Sequence, residues 1–277
     1  MPTQYAIADL LALMARLRDP EWGCPWDLRQ DFRSIAPHTL EEACEVIDAI
    51  ERGAHDHLPE ELGDLLFQVV FYAQLGRERG WFDFDAIVSG LVTKLVARHP
   101  HVFPGGTLDS RRAVDVDVEA EVGEIRHAWE RIKREERAER GDREPLAGIP
   151  LTLSALTRAA KLQKRAGHHG FDWPDAAPIP DKIREELGEV EAALAEGDAE
   201  HVREEVGDLL FACVNLARHL GIDGEAALRD ANRKFERRFG YMIDVLDGDI
   251  EIFQSLSPEA KEALWRRAKK RDLEASD

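Results

Sequence analysis

Apolar residues recur every three or four positions along most of the chain, a spacing that places them on one face of an α-helix. Residues 5–18 show the pattern, with Leu10, Met14 and Leu17 on a single stripe. Strand signals are scarce, because no run of alternating Val, Ile and Thr is bounded by turn residues. The predicted fold class is therefore all-α. The predicted helices cover residues 5–18, 39–51, 59–79, 83–98 and 115–138, then 152–166, 180–196, 198–220, 224–240 and 258–272.

The segment GDREPLAGIP, residues 141–150, interrupts this helical pattern. Its proline and glycine residues are typical of a linker, and the pattern starts again after it. A chain of 277 residues is long enough for two small domains. We therefore predict two helical modules in tandem, residues 1–144 and residues 145–277.

The two modules carry the same motif at the same spacing. EEACEVIDAI at 41–50 and EELGDLLF at 60–67 correspond to EELGEVEAAL at 185–194 and EEVGDLLF at 204–211. Four acids of the first half therefore recur 144 residues later, with no slip between them. Basic and aromatic residues recur after them at offsets of 140 and 136 residues. Such a repeat indicates internal duplication of one helical-bundle module.

The repeated acids are spaced to converge. Residues three apart lie on one face of a helix, so Glu42 and Glu45 point one way, as do Glu61 and Asp64. The connection between their helices is short and polar, which predicts antiparallel packing of the two acidic faces. The second copy repeats the arrangement with Glu186, Glu189, Glu205 and Asp208.

A solvated helix surface is the alternative explanation, because acids are common there and favour the first turn of a helix. Three features favour a converged site instead. Residues 65–75 carry no charge, so we expect their helix to be buried nearly all round. Gly63 and Gly207 lie inside helices, where close approach of another helix would explain them. The pattern also occurs twice.

Converged acids require a cation or protonation, because two like charges at about 4 Å cost about 4 kcal/mol at an effective dielectric of 20. Hard oxygen ligands without His or Cys select Mg²⁺, or Mn²⁺ in its place, over zinc. A ferritin-like di-iron site is disfavoured, because no histidine follows any of these repeated glutamates at Glu-x-x-His spacing. Carboxylate-bound Mg²⁺ in proteins most often meets phosphate.

Each acidic set is followed by an i,i+4 pair of basic residues, Lys94 with Arg98 and Lys234 with Arg238, that could hold phosphate oxygens. An ordinary solvated surface is the alternative for either pair. One tryptophan in each half could stack on a nucleobase, and a core tryptophan is the alternative there. These tryptophans are Trp129 and Trp265, each followed four residues later by a lysine, Lys133 and Lys269.

Composition excludes several classes of protein. The 55 acids outnumber the 37 Lys and Arg residues and give a formal net charge of −18, so we expect no binding of duplex nucleic acid through a broad basic surface. No uncharged apolar run is long enough to span a bilayer. Three cysteines without zinc-site spacing favour a reducing compartment, and the N-terminus shows no cleavage signal. We expect a cytoplasmic protein.

Longer motifs carry a family resemblance that covers nearly the whole chain. They are GCPWD at 23–27, TLEEACEVIDAI at 39–50, ELGDLLFQVVFYAQ at 61–74, RHPHVF at 98–103, QKRAGHHGFDW at 163–173, EEVGDLLFACVNLARHLG at 204–221 and KFERRFG at 234–240. With these motifs the chain resembles the two-copy MazG-type nucleoside triphosphate pyrophosphohydrolases, of the all-α NTP pyrophosphatase group.

The resemblance implies a hydrolase of phosphoric anhydrides that cleaves ribo- and deoxynucleoside triphosphates between the α- and β-phosphorus, giving the monophosphate and pyrophosphate. It also implies Mg²⁺ dependence and a homodimer. Clearance of aberrant nucleotides, or tuning of the stringent response, is the implied role. A module that senses Mg–nucleotide or binds a protein without turnover is the alternative from another class.

The resemblance also implies roles for individual residues. The C-terminal copy is usually taken as the catalytic one, but the first copy here keeps its acids, so one or both copies could work. The general base is left open between Glu185 and Glu189. The implied metal ligands are Glu186, Glu189, Glu205 and Asp208, with Glu42, Glu45, Glu61 and Asp64 in the first copy; the nucleotide contacts are Lys182, Arg184, Glu185, Glu186, Asp208, Lys234, Arg237, Arg238, Trp265 and Lys269, with Lys94, Arg98, Trp129 and Lys133 in the first copy.

Overall fold

The structure, a computed structural model, describes residues 4–111, 132 and 144–274. Every regular element within these ranges is a helix, which confirms the all-α fold class. The chain divides into two compact units, residues 1–132 and 133–277. The limits 1–144 and 145–277 of the two modules stay a prediction. The predicted helix 115–138, with Trp129 and Lys133, lies outside the described residues except for residue 132.

The first unit is built around a pair of long helices. α3 and α4 make its most extensive contact, and α1 and α5 pack against α4. The apolar stripes of these helices close a core whose fully buried side chains include Met14 of α1 and Phe71 of α4. The helices are α1 (Ile7–Leu17), α2 (Pro25–Leu28), α3 (Phe32–Glu51), α4 (Leu58–Glu78) and α5 (Phe84–Arg98).

The second unit repeats this plan, and α10 and α11 follow at its end. α7 and α8 form its most extensive pair, α6 packs on α8, and α9 packs on α11. Buried side chains of α9 and α11, among them Met242 and Leu264, form a further core. The helices are α6 (Ala155–Gly167), α7 (Ile179–Glu196), α8 (Ala199–His219), α9 (Gly224–Asp244), α10 (Ile250–Ser255) and α11 (Pro258–Glu274).

Two expectations about helix burial are wrong. In α4 the buried residues begin at Gln68, whereas Leu62 and Leu66 are 48% and 40% exposed, so the acidic end of this helix is not enclosed by a core. Gly63 and Gly207 do not accommodate a neighbouring helix, because a Cβ added at either would meet nothing within 4 Å in the described chain. Neither glycine therefore marks a close helix contact at the acidic end of α4 or α8.

None of the helices in the described ranges has the length and hydropathy needed to cross a lipid bilayer.

Candidate functional site

The predicted acids of the second copy converge between α7 and α8. Glu186 of α7 and Glu205 and Asp208 of α8 each offer a carboxylate oxygen, and these oxygens lie within 4.8 Å of one another. Gly197, at a φ of 77°, ends α7, and the Asp198 side chain caps α8, so the chain reverses within two residues. Glu186 is only 6% exposed, whereas Asp208 is exposed, so the cluster is buried on one side and open on the other.

Glu189 borders this cluster. Its side chain shares a hydrogen bond with Glu186, and this contact, with the charges of Glu186 and Glu205, raises the pKa of Glu189. Four acids therefore meet as predicted, with three in one tight group and Glu189 beside it.

Lys182 places a positive charge at the cluster. Its Nζ donates to Glu185 Oε1 at 2.7 Å and to Glu186 Oε1 at 2.9 Å, and these bonds raise the pKa of Lys182 above its usual range. Glu185 is thereby engaged by the lysine. Arg184, in contrast, is exposed and pairs with Asp181. Of the predicted contacts in this turn, Lys182 and Glu185 lie at the cluster and Arg184 points elsewhere.

His201 contacts the cluster, although the sequence did not single it out. Its Nδ1 lies 3.2 Å from Glu196 Oε2 and its Nε2 lies 3.1 Å from Glu205 Oε1. The contact with Glu196, followed by the charges of Glu196 and Glu205, raises the pKa of His201. Its position four residues before Glu205 is the only sequence signal for this contact.

The first copy forms a similar cluster. Carboxylate oxygens of Glu42, Glu45 and Glu61 lie within 4.8 Å of one another. Burial raises the pKa of Glu42, and a hydrogen bond to Glu45 and the nearby charge of Asp64 raise it further. The Gln68 amide donates to Glu42 at 3.3 Å. In each copy, three of the four predicted acids therefore lie in one cluster, with the fourth acid close by.

One position distinguishes the two copies. His38 lies 144 residues before Lys182 and is therefore its counterpart in the first copy. The His38 Nδ1 lies 3.4 Å from Glu41 Oε2, at an exposed pair, whereas Lys182 also reaches the buried Glu186. The second copy thus has a permanent cation at its acids, and the first has a histidine directed at an outer glutamate.

Both clusters fit a hard divalent cation. Their ligand atoms are all carboxylate oxygens, which suit Mg²⁺ and Mn²⁺ better than zinc. Mg²⁺ binds such oxygens at about 2.0–2.1 Å and keeps several waters, so three ligands open to solvent on one side are compatible with it.

The predicted basic and aromatic residues of the second copy gather on α9 and α11. The Trp265 ring lies 5.6 Å from the Phe235 ring, with Arg238 Cζ at 5.7 Å and Lys269 Nζ at 5.8 Å from its centre. Lys234 is exposed on α9. In the first copy, Lys94 is exposed and Arg98 half-buried on α5, while Trp129 and Lys133 are outside the described residues.

Asp272 holds the two arginines of this group and was not predicted. Its carboxylate accepts from Arg237 Nε at 2.9 Å and from Arg238 Nε at 2.6 Å. These bonds, Arg237 first, lower the pKa of Asp272 to about 2. Asp272 lies beyond the Trp–Lys motif, near the end of α11.

A cavity of about 690 Å³ opens beside the acids of the second copy. Lys182, Glu186 and Asp208 line one part of it, and the rest is largely apolar. Gln163 and Trp173 belong to this lining. The segment QKRAGHHGFDW, which contains both, supported the family resemblance but carried no chemical signal of its own.

Comparison with known proteins agrees with this geometry. A family model described as the MazG nucleotide pyrophosphohydrolase domain matches residues 30–103 and 179–242, which contain both acidic clusters. The chain is 47% identical to the nucleoside triphosphate pyrophosphohydrolase of Escherichia coli K12, covering 96% of this chain and 97% of that protein. It is 39% identical to the nucleoside triphosphate pyrophosphohydrolase/pyrophosphatase MazG of Thermotoga maritima, covering 94% of each chain.

Proposed function

The chain belongs to the MazG nucleotide pyrophosphohydrolase family, and from that premise we propose that it hydrolyses nucleoside triphosphates to the monophosphate and pyrophosphate with Mg²⁺. The observation that carries this proposal is the cluster of Glu186, Glu205 and Asp208 with Lys182 at its edge. The relatives from Escherichia coli and Thermotoga maritima bear names that state nucleoside triphosphate pyrophosphohydrolase activity. Ribo- and deoxynucleotides both belong to the proposed substrates.

The C-terminal copy is the proposed catalytic copy. Its acids adjoin Lys182 and the cavity, whereas the first copy has His38 at the corresponding position. A site with a fixed cation and space for a ligand is better suited to bind a polyanion. Activity of both copies is the second candidate, because the first copy also brings three acids together.

The cation would be held by Glu186, Glu205 and Asp208, with Glu189 beside them. When bound, Mg²⁺ supplies charge neutralisation and makes water easier to deprotonate. Glu189 is the proposed acceptor of the proton from the attacking water, because Glu185 is engaged by Lys182. Arg238 and Lys234 of α9 would neutralise charge on the phosphate oxygens. The ion pair with Asp272 of α11 keeps the Arg238 side chain in place.

Measurement of products tests this function directly. The purified protein is incubated with each of the ribo- and deoxynucleoside triphosphates and Mg²⁺, and the monophosphate and pyrophosphate are quantified. Formation of the nucleoside diphosphate and inorganic phosphate would instead indicate cleavage between the β- and γ-phosphorus. Mg²⁺-dependent nucleotide binding without product over hours would support a sensing module. An unchanged rate after Glu42→Ala and Glu186→Ala together would exclude the carboxylate sites.

The cellular role follows from this chemistry as part of the proposal. Removal of aberrant nucleotides, or tuning of the stringent response, would require a cytoplasmic enzyme. The net charge of −18 makes duplex nucleic acid an unsuitable ligand for the same protein.

A homodimer is also proposed, because apolar side chains line the outer faces of α7 and α8. Leu194 is 61% exposed, and Leu187 and Leu210 are about half exposed. Such a stripe on a helix pair favours burial against a second copy. We expect Leu194→Glu to weaken the dimer at least ~10-fold, because a charge would be buried in the interface. Light scattering after size-exclusion chromatography measures the change.

Leu151→Glu provides the matched control, since Leu151 is highly exposed just before α6 and lies off this stripe. The control should leave the dimer intact. If the Leu194→Glu dimer dissociates at the same protein concentration as the wild-type dimer, the placement of the interface is contradicted.

A further inference from the structure

Three side chains of α11 lie on the face that meets α9. Trp265, Lys269 and Asp272 are separated by four and then three positions, which places them on one stripe of the helix. On α9, the Phe235 ring lies 5.6 Å from the Trp265 ring, and Arg238 Cζ lies 5.7 Å from the centre of the same ring. The two helices therefore meet through an aromatic contact that continues into an ion pair between Arg238 and Asp272.

Asp272 binds two neighbouring arginines in different ways. Arg237 donates to it through Nε at 2.9 Å and through Nη2 at 3.1 Å, so both carboxylate oxygens engage the fork of this guanidinium. Arg238 donates to Asp272 Oδ2 through Nε at 2.6 Å. Its two Nη groups lie outside this bond and keep the fork geometry that suits phosphate oxygens. The carboxylate thus occupies the fork of one arginine and leaves that of the other open.

Exposure separates the same two arginines. The Arg237 side chain is 61% exposed, whereas those of Arg238 and Asp272 are 17% and 16% exposed. Water and salt screen an exposed ion pair, so the bond to Arg237 constrains little. The bond to Arg238 is shielded, and the Trp265 ring lies beside the same guanidinium. Asp272 therefore fixes the direction of Arg238 more firmly than that of Arg237.

The internal repeat retains this pair of residues. Arg238 has a counterpart 140 residues earlier, Arg98, and the residue that precedes Arg98 is an alanine. Asp272 has an acidic counterpart 136 residues earlier, Glu136, at the offset that also relates the two tryptophans. One arginine and one acid thus recur together, and the second arginine does not, as expected if the acid acts on that one arginine.

The sign of its charge shows what Asp272 contributes. Four cations surround this single acid where α9 and α11 meet: Lys234, Arg237, Arg238 and Lys269. Such a group attracts a polyanion even in a chain of net charge −18, and a carboxylate at its centre weakens that attraction. The two arginines also lower the pKa of Asp272 to about 2, so the carboxylate stays negative at any ordinary assay pH. Its contribution is orientation and not attraction.

We propose that Asp272 is a positioning residue for hydrolysis, which holds Arg238 by its Nε so that the two Nη groups meet the phosphate oxygens of the substrate. The inference rests on the proposed function, in which Arg238 neutralises charge on those oxygens. Arg237, which the family resemblance counts among the nucleotide contacts, is a partner of Asp272 instead. A donor held in place before charge develops on the departing pyrophosphate stabilises the transition state more than the bound substrate.

Asp272→Asn tests the inference through the separate values of kcat and KM. We expect kcat to fall ~10-fold, because Arg238 is no longer held in the productive direction. KM for the nucleotide should stay within ~2-fold of the wild type or decrease, because the variant removes a negative charge beside a polyanion site. Asp272→Glu keeps the carboxylate and should recover at least ~3-fold of the lost kcat. Steady-state pyrophosphate release and the melting temperature of each variant are measured.

An acid that only fastened α11 to α9 would give a different result. Its loss would raise KM and lower the melting temperature, and this outcome would contradict the inference. An unchanged kcat in Asp272→Asn, or no recovery in Asp272→Glu, would contradict it as well.

Two variant backgrounds identify the arginine through which Asp272 acts. In Arg238→Met, the additional change Asp272→Asn should alter kcat by less than ~2-fold, because the carboxylate has lost the group that it orients. In Arg237→Met, the ~10-fold loss on Asp272→Asn should persist. The reverse pattern would assign Asp272 to Arg237 and overturn the inference.

Glu262→Gln is the matched control, because it removes another acid of α11 that is paired with an arginine, Arg266, at 3.2 Å. Both of these side chains are exposed, and kcat and KM should stay within ~2-fold of the wild type. If the wild type releases no pyrophosphate from any triphosphate, the proposed function itself fails. Hydrolysis that Asp272→Asn leaves unchanged rejects only the role assigned to Asp272.

Discussion

Replacing Glu186 with glutamine should reduce kcat/KM for nucleoside triphosphates at least ~10²-fold, because a ligand charge that holds the cation is lost. Glu186 is the buried member of the cluster and lies against Glu205 and Asp208. Glutamine keeps the shape of the side chain and can still accept from Lys182. The loss should therefore reflect chemistry and not packing, and steady-state rates of pyrophosphate release measure it.

Thermal stability separates these two causes. Removing one charge from a group of mutually repelling acids should leave the melting temperature without Mg²⁺ equal to or above that of the wild type. Mg²⁺ should raise the melting temperature of the wild type and do so much less in Glu186→Gln, because ligand binding stabilises the native state. A variant that melts early without Mg²⁺ would show that its lost activity comes from unfolding.

Glu42→Gln is the matched control, since it makes the same change 144 residues earlier in the first copy. If the C-terminal copy is catalytic, the loss in Glu42→Gln should be at least ~10-fold smaller than in Glu186→Gln. Equal large losses in two folded variants would show that both copies are needed. Full activity in Glu186→Gln would exclude this cluster as the cation site.

Long helices were predictable because their apolar stripes extend over several turns, and shorter or irregular features were not. The start of α3 was predicted at residue 39 and lies at Phe32. The Asp31 carboxylate accepts from the Ser34 N–H, and the Asp31 N–H donates to the Ser34 hydroxyl oxygen, so this cap starts the helix earlier. Pro37 is tolerated inside it, although proline normally ends a helical pattern.

The helices α2 and α10 were missed for a different reason. They have four and six residues, too few for a periodic pattern to be distinguished from a turn. The burial of α4 was overestimated because an uncharged sequence does not reveal whether its apolar residues face the core or a partner. Leu66 is exposed although it lies in that uncharged stretch.

The sequence predicted the site residues that belong to the repeated, regularly spaced motifs. It did not predict the residues that reach the site only through tertiary contacts. Glu186 with Glu205 could be paired because an exact repeat marked both helices. Asp272 and His201 lie outside that exact repeat. Their contacts depend on where helices cross, and this is not encoded in a motif.

Lys182→Met should reduce kcat/KM for nucleoside triphosphates by ~10–100-fold, because a cation in contact with the acidic cluster is lost. Lys182 Nζ lies 2.9 Å from Glu186 Oε1 and the side chain lines the cavity. Without nucleotide, the same change should instead increase the affinity of the site for Mg²⁺. Lys182 repels a divalent cation from these acids, so Mg²⁺ should bind the variant tighter by ~3-fold or more. Calorimetric Mg²⁺ titration and steady-state kinetics measure the two effects.

The opposite signs distinguish an electrostatic role from a structural one. A lysine that only stabilised α7 would, on removal, weaken Mg²⁺ binding and catalysis together. Lys182→Arg keeps the positive charge and should restore most of the rate, with a Mg²⁺ affinity near that of the wild type. His38→Met makes the corresponding change in the first copy, where the histidine contacts the outer Glu41, and should change kcat/KM by less than ~2-fold. Weaker Mg²⁺ binding in Lys182→Met, or no rescue by arginine, would contradict the role assigned to this lysine, because a charge that neutralises the triphosphate must also oppose the bare metal ion.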